Sequence, residues 1–556
     1  MNVESYHQNF VTEEYGEDGI LKKFGIKYPE NYNFGYDIID KFAEMEPDRR
    51  AVFWVNLKGE EKLLTFGDLS RLSNRAANMF LKMGIKKGDH VILMMKRHYQ
   101  FWYVLVALMK IGAVAIPATY LLTPKDMVYR CDAADVKAAI CTHDGDVAAY
   151  VDEADKMVKS PLLCKYIVNG SREGWTNLDE EIEKYPDTME RIPTKADEIF
   201  LMYFTSGTTG YPKMAIHDHT LSLAHIQTAK HWHKVDPNGL HFTISDTGWA
   251  KAAWGKIYGQ LAMGTCIFVY DFNKFIPEDV LSMIEKYRIT TLCAPPTIFR
   301  FFISVGPEKY DLSSLKYCNI AGEALSAEVY NRWKEITGLQ LMEGFGQSES
   351  TCLIGNIIGM TPKPGSMGKP TPLYDIDLVD ADGNSVPNGV VGEIVVKGEY
   401  TNTPGLFRGY YKNKEVTDKV WHDGMYHTGD TATRDEDGYY WYVGRNDDVI
   451  KSSGYRIGPF EIENVLATHP AVLESAVTGA PHPIRGEIVK ATIVLEKGYE
   501  PSEELKKEIQ DYVKRNTAPY KYPRIVEFVN ELPKTTSGKI RRVEIRQSDI
   551  DKMNGK

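Results

Sequence analysis

The chain has 556 residues, with 66 Lys and Arg against 76 Asp and Glu, giving a formal net charge of −10. At 43% hydrophobic and 26% charged residues it has the composition of folded globular protein, which excludes wholesale disorder. The acidic balance excludes nucleic-acid binding through a global basic field, so any anionic ligand must be held by local cations and backbone N–H groups. At roughly 150 residues per domain the length fits three or four units.

Residues 1–35 are polar and show no basic segment followed by an apolar run, so no secretory signal is read there. The seven cysteines (Cys131, Cys141, Cys164, Cys266, Cys293, Cys318 and Cys352) are odd in number, lack a Cys-x-x-Cys pair and lie in apolar stretches. They predict reduced thiols in a cytoplasmic protein rather than a disulfide framework or a zinc site. Residues 101–122, FWYVLVALMKIGAVAIPATYLL, are apolar and long enough to span a bilayer. Lys110 near the middle would cost roughly 2.5–3.5 kcal/mol in hydrocarbon. The stretch therefore predicts a buried helix ending near Lys110, a turn at Gly112 and a strand, AVAIPA, with no membrane span.

From about 65 to 340, helical periods alternate with short apolar runs: VILMM (91–95), AAICT (138–142), CIFVY (266–270) and TTLCAPP (290–296). That alternation predicts α/β layers. Between 373 and 445, YDIDLVD, GEIVVKG and YYWYVG are separated by ADGN, NG and DEDG turns, which predicts antiparallel β-structure. Beyond 446, EIENVLATHP and SEELKKEIQDYVKRN read as amphipathic helices, with SAVTGA and VKATIVLE as strands, in a compact α+β unit. No internal repeat or low-complexity linker interrupts the chain.

Residues 203–214 read YFTSGTTGYPKM. Thr205, Ser206, Thr208 and Thr209 supply hydroxyls, Gly207 and Gly210 allow close backbone approach, and Lys213 adds a charge. That is the chemistry of a polyphosphate cradle. It is not a Walker A loop, because Lys213 follows Pro212 and no Ser or Thr comes next. The later TTSGKI (535–540) fails the same pattern, since Pro533 holds the place of the first glycine. On pattern alone such a turn is equally a surface loop.

In its order and company, the loop resembles the phosphate loop of the acyl-adenylate-forming superfamily, and the resemblance runs over roughly residues 60–545. AGEAL (321–325), EGFGQSES (343–350), YHTGD (426–430), GRNDDVIKSSGYRIGPFEIE (444–463) and PKTTSGKIRR (533–542) follow in the family's order. Within the superfamily the chain is similar to AMP-forming medium-chain acyl-CoA synthetases. The resemblance implies an α/β fold: a large N-terminal domain of layered sheets over 1–446, including a distorted β-barrel subdomain at about 360–446, and a small mobile α+β C-terminal domain over 447–556. It implies a two-step reaction, in which a carboxylate attacks the α-phosphorus of ATP and a CoA thiol then attacks the acyl carbon, with Mg²⁺ on the phosphates. Because an anion attacks a polyanion, such catalysis is mostly charge neutralisation and positioning.

The family motifs then imply roles residue by residue. Lys539 bridges the carboxylate and the α-phosphate, and Glu349 holds Mg²⁺. Thr205, Ser206, Gly207, Thr208, Thr209, Gly210 and Lys213 cradle the polyphosphate. Gly322, Glu323, Ala324, Glu343, Gly344, Phe345, Gly346, Gln347 and Ser348 line the nucleotide. Ser348 stands where many relatives carry Thr, and Phe345 where they often carry Tyr. Asp430 accepts the ribose hydroxyls beside Arg445, and Arg456 reaches a phosphate. Asp447 matches the interdomain hinge. Gly454 and Tyr455 line the pantetheine tunnel, and Arg485 and Lys514 meet the nucleotide end of CoA.

The acyl pocket is expected from Trp249, Ala250, Lys251, Trp254, Ala321 and Gly346. Acetate-selective relatives carry Trp at the Gly346 position, so Gly is expected to leave that volume empty, with Trp254 as the wall. Lys251 either turns away, to solvent or a carboxylate such as Asp246, or narrows the pocket. Together these features predict a short-to-medium-chain acid, branched acids included. Loading of a separate carrier protein is the alternative to CoA. The expected partners are the acid, ATP and CoA, with no nucleic acid, in a monomer or homodimer.

Overall fold

The computed structural model describes residues 2–205, 212–400, 402–452, 455–482, 486–518, 520–535 and 539–553, without the side chains of Lys451, Tyr455, Arg456 and Met553. The first half of the chain builds two large sheets. In one seven-stranded sheet the strands His90–Met94, Val114–Pro117, Val136–Thr142, Cys164–Val168 and Thr176–Asn177 run parallel. Its other edge is Ile199–Thr205, parallel to Val114–Pro117, followed by the antiparallel Lys213–Asp218. A nine-stranded sheet carries Arg50–Asn56, Cys266–Asp271, Leu240–Thr243, Thr291–Ala294, Tyr317–Ile320 and Leu341–Phe345 in parallel order, with antiparallel strands at both edges. The central strands are buried on both faces, which is why HVILM and CIFVYD read as continuous apolar runs rather than alternating ones.

Local sequence sets the helix ends. Thr65 and Asp68 form a reciprocal capping box on Phe66–Lys82, and Thr123 with Asp126 repeats it on Pro124–Ala133, where Pro124 opens the first turn. The apolar stretch at 101–122 folds as the sequence predicts, into helix Gln100–Lys110 and strand Val114–Pro117. Lys110 is fully buried, and its three donors go to Asp40 at 2.6 Å, Ser73 at 2.9 Å and Asn74 at 2.7 Å, which is the full capacity of an ammonium group. Among the described residues no helix is long and apolar enough to cross a membrane. The apolar run VILMM forms the strand His90–Met94, which ends just before Lys96 takes a left-handed conformation at φ 56°.

The antiparallel β-structure predicted after 373 is a five-stranded sheet of Asp375–Val379, Gly392–Lys397, Met425–Arg434, Trp421–His422 and Tyr440–Arg445. A turn at 446–448 leads to the last unit. There the long pair Val472–His482 and Gly486–Leu495 is flanked by Ile450–Ser452, Tyr455–Ile457 and Ile525–Phe528, and packed by helices Pro459–Leu466, Glu503–Asn516 and Arg542–Met553. Residues 1–35, unassigned from sequence, form an antiparallel hairpin, Val11–Tyr15 with Leu21–Ile26. It is clasped to the body by Glu13, which accepts from Lys230 at 2.6 Å and His231 at 2.7 Å.

Candidate active site

The expected phosphate loop joins Ile199–Thr205 to Lys213–Asp218, with Thr205 opposite Lys213 across the pair. Ser206, Gly207, Thr208, Thr209 and Gly210 lie outside the described residues. Lys213 Nζ sits 5.1 Å above the ring of Tyr410. Burial lowers its pKa, and the charge of Glu349 opposes that shift. Glu349 is itself buried and accepts a hydrogen bond from Tyr410 Oη at 2.9 Å. A buried carboxylate, fixed by Tyr410, therefore shares this corner with a half-buried ammonium group. Tyr410 was not anticipated, because it is 61 residues from Glu349 and outside every motif.

The segment after Leu341–Phe345 connects this pair to the ribose-side residues. The Ser348 carbonyl accepts from His217 Nε2 at 2.8 Å. Gln347 uses its whole amide: Nε2 donates to the Thr428 carbonyl at 2.8 Å and to Asp430 Oδ2 at 2.5 Å, and Oε1 accepts from Tyr426 at 2.6 Å. Asp430 and Arg445 are direct cross-strand partners, with Arg445 Nη1 3.3 Å from Asp430 Oδ2, and Tyr442 donates to Oδ1 at 3.0 Å. Burial raises the Asp430 carboxyl, while Arg445, Tyr442 and Gln347 pull it down. Phe345 is half-buried, 6.3 Å from the ring of Tyr442. Gly322 and Glu323 are exposed, with Ala324 half-buried, and Glu323 accepts from Thr297 at 2.7 Å.

Glu343 departs from the nucleotide-lining expectation. It is buried, its backbone carbonyl receives Trp232 Nε1 at 3.2 Å, and its Oε1 receives Leu325 N at 3.3 Å. Its Oε2 has no hydrogen-bond partner among the described residues, and burial pushes its pKa up to about 8.

The acyl-side residues gather around two indoles. A Cβ added to Gly346 would lie 2.4 Å from Trp254 Cη2 and 2.4 Å from the Thr351 carbonyl oxygen, and one added to Gly344 would lie 2.6 Å from the Trp232 ring. The volume expected to stand empty beside Gly346 is therefore filled by Trp254. Trp232, which sequence reading missed, meets Trp254 edge to face at 5.9 Å. Both glycines lie on one face because they are two residues apart near the end of one strand. Lys251 does not reach Asp246. Its Nζ donates to the Ala321 carbonyl at 2.7 Å, whereas Asp246 is taken by Arg97 at 3.0 Å. Burial lowers the Lys251 pKa, with Cys293 and Glu323 opposing. Trp249 and Ala250 are half-buried on the loop entering helix Lys251–Gly255, which Arg97 anchors through Asp246.

Lys539 is exposed, and its loop is closed by Thr535 N donating to the Lys539 carbonyl at 2.8 Å and by Lys539 N donating to Thr535 Oγ1 at 3.1 Å. Its charge acts on both Asp430 and Lys251. Asp447 is exposed in the turn between the five-stranded sheet and the last unit. Gly454 and Arg485 lie outside the described residues, as do the side chains of Tyr455 and Arg456, whose backbones form part of strand Tyr455–Ile457. Lys514 is exposed on helix Glu503–Asn516, 5.5 Å above the ring of Tyr522.

This geometry agrees with known proteins. The AMP-binding enzyme family model matches residues 39–411, and that of the AMP-binding enzyme C-terminal domain matches residues 461–539. The chain is 42% identical over 552 residues to acyl-coenzyme A synthetase ACSM3, mitochondrial, of Homo sapiens, covering 98% of this chain and 93% of that one. It is 41% identical over 531 residues to acyl-coenzyme A synthetase ACSM4, mitochondrial, of Mus musculus, covering 94% and 91%. Among solved structures it superposes on the anthranilate CoA ligase AuaEII in complex with anthranoyl-AMP, with a TM-score of 0.86 at 28% identity, over 95% of this chain and 99% of that one. The benzoate CoA ligase from Burkholderia xenovorans LB400 gives a TM-score of 0.81 at 27% identity, over 93% and 100%. The mitochondrial relatives overturn the cytoplasmic expectation. All seven cysteines are free, but unpaired thiols report a reducing environment and do not say which compartment supplies it. The chain belongs to the AMP-binding enzyme family and, within it, is an AMP-forming acyl-CoA synthetase.

Proposed function

We propose that this synthetase activates a short-to-medium-chain carboxylic acid, branched acids included, and that the unit over 447–556 turns about Asp447 between acyl-adenylate formation and transfer to CoA. The observation that carries this reading is that the charge of Lys539 reaches both Asp430 and Lys251. Lys539 would serve as the group that bridges carboxylate and α-phosphate. Asp430 and Arg445 bind the ribose, and Phe345 stacks on adenine. Lys213 and the 205–210 loop hold the polyphosphate, joined by Arg456. Gly454, Tyr455, Arg485 and Lys514 serve CoA.

Glu349 fits a Mg²⁺ site. One of its oxygens is fixed by Tyr410, its second has no hydrogen-bond partner among the described residues, and Mg²⁺ needs only one or two carboxylates beside water and phosphate oxygens. Bound there, the ion would neutralise charge on the phosphates. Lys539 would neutralise the attacking carboxylate, and Lys213 would orient the leaving pyrophosphate.

The acyl preference rests on Trp254. With a wall on helix Lys251–Gly255 and Lys251 tied across to Ala321, an acyl chain entering here would meet an early stop. Each buried methylene adds up to about 0.8 kcal/mol until the chain meets that wall. Thioester formation with ATP, Mg²⁺ and CoA across acetate, propionate, butyrate, 2-methylbutyrate, octanoate and benzoate tests this. A maximum at three to six carbons with branching tolerated is expected, and a maximum at octanoate rejects Trp254 as the wall. AMP and pyrophosphate release without a thioester would instead favour carrier loading.

A further inference from the structure

Tyr442 has no part in the roles above. It stands on strand Tyr440–Arg445, and its hydroxyl donates to Asp430 Oδ1 at 3.0 Å. Gln347 and Arg445 both act on the other oxygen, Oδ2, at 2.5 and 3.3 Å. Tyr442 is thus the side chain that fixes Oδ1. Its ring lies 6.3 Å from that of Phe345, on the adenine side, and meets the ring of Phe460 edge to face at 5.9 Å and 73°. Phe460 belongs to helix Pro459–Leu466 of the small unit. From the same unit the charge of Arg542 acts on the Tyr442 hydroxyl. Arg542 is held by two hydrogen bonds to Glu463, at 2.8 and 2.7 Å, and lies 3.9 Å from Asp448. It follows Lys539 by three residues. One phenol therefore touches the ribose acceptor and packs against the unit that delivers the lysine.

We propose that Tyr442 is a positioning residue that couples ribose binding at Asp430 to docking of the small unit in the arrangement that presents Lys539. The proposal rests on the functional reading above and adds a coupling between its two parts. A ribose held by Asp430 restricts the carboxylate, and the carboxylate restricts the phenol. The restricted ring then offers Phe460 a fixed edge-to-face partner. A contact of that kind shifts a two-state equilibrium by roughly two- to tenfold. Because coupling is reciprocal, docking of the small unit tightens nucleotide binding by the same factor. When the small unit turns away for thioester formation, Phe460 leaves and the coupling is released.

The test compares the two half-reactions in the full-length enzyme: ATP–pyrophosphate exchange with a carboxylic acid, and thioester formation from supplied acyl-adenylate and CoA. Tyr442→Phe removes the hydroxyl and keeps the ring. Phe460→Leu keeps most of the volume and removes the edge contact. Tyr442→Phe should raise the KM for ATP in exchange three- to tenfold. Phe460→Leu should lower exchange kcat with a smaller change in that KM. Each should lose more in exchange than in thioester formation, and the double variant should be within twofold of the weaker single variant. Additive losses, or equal losses in both half-reactions, overturn the proposal. A wild-type enzyme that exchanges no pyrophosphate would sink the functional reading itself. Exchange in the wild type matched by both variants would sink the coupling alone.

Discussion

At the residue scale, the most informative departure from expectation is at Gly346. Sequence reading treated its missing side chain as space. The structure fills that space with an indole from a residue 92 positions earlier, because Trp254 and Gly346 are complementary halves of one wall. A hydrogen-for-ring exchange of this kind cannot be read at either position alone. Gly346→Ala would drive a methyl into Trp254 and the Thr351 carbonyl, and kcat/KM should fall at least tenfold for every acid. Trp254→Ala should move the chain-length optimum up by two or more carbons, at a stability cost of about 3–5 kcal/mol for the cavity; an unmoved optimum refutes the wall. Lys539 carries a second residue-scale prediction. Lys539→Ala should lower pyrophosphate exchange by roughly 10²–10³, the loss seen when one preorganised donor to developing charge is removed. Thioester formation from supplied acyl-adenylate should fall far less, and equal loss in both assays would remove Lys539 from the first step.

At the element scale, strand Leu341–Phe345 joins three parts of the site. Gly344 within it and Gly346 just past its end seat two indoles, its end presents Phe345, and Glu343 is buried. The protonation of Glu343 has a direct thermodynamic consequence. Burial raises its pKa to about 8, so the folded chain keeps a proton that the unfolded chain loses above about 4.5. The folded state binds more protons across that window, and stability drains as pH rises from about 4.5 to 8. Glu343→Gln cannot titrate. The melting temperature of the variant relative to wild type should therefore climb by a few degrees between pH 5 and pH 8 in thermal melts. A difference independent of pH would show that Glu343 is ionised in the folded protein. The N-terminal hairpin is another element that composition concealed. Its polar sequence looked unassignable, yet Glu13 fastens it to Lys230 and His231, and hydrogen bonds from both override burial and hold the Glu13 carboxyl down to about 2. Lys230 and His231 directly precede Trp232 in the short helix Thr228–Trp232.

At the scale of the whole molecule, the proposed function needs Lys539 at the site for one step and a CoA path for the next. The described arrangement suits the first, with Phe460 against Tyr442 and the Lys539 charge acting on Asp430. The connection is the turn at 446–448, where Asp448 is tied to Arg542 and Arg546, so the C-terminal helix is bound to the hinge as one piece. Asp447→Pro fixes φ near −65° and removes an N–H at the pivot. It should lower overall thioester formation at least tenfold while pyrophosphate exchange stays within about threefold. Equal losses would mean that the rotation does not pass through Asp447.

The ordered motifs determined much by themselves: the family, the two-step chemistry, the α/β layering, the antiparallel region after 373 and the α+β end. These were legible because strand runs, turn signals and ordered motifs are local patterns in which neighbouring residues do the work together. The buried reading of 101–122 was legible for the same reason, since a lysine inside an apolar run must find partners, and Lys110 found Asp40, Ser73 and Asn74. Only the tertiary structure decided that Asp246 belongs to Arg97 rather than Lys251, that Tyr410 holds Glu349, that Trp254 fills the Gly346 gap, and that Tyr442 joins Asp430 to the small unit. Each of these is a pairing between residues far apart in sequence. The chemistry of a side chain names the kind of partner it needs, but which of several candidates lies within 3 Å is settled by how the sheets and the last unit pack.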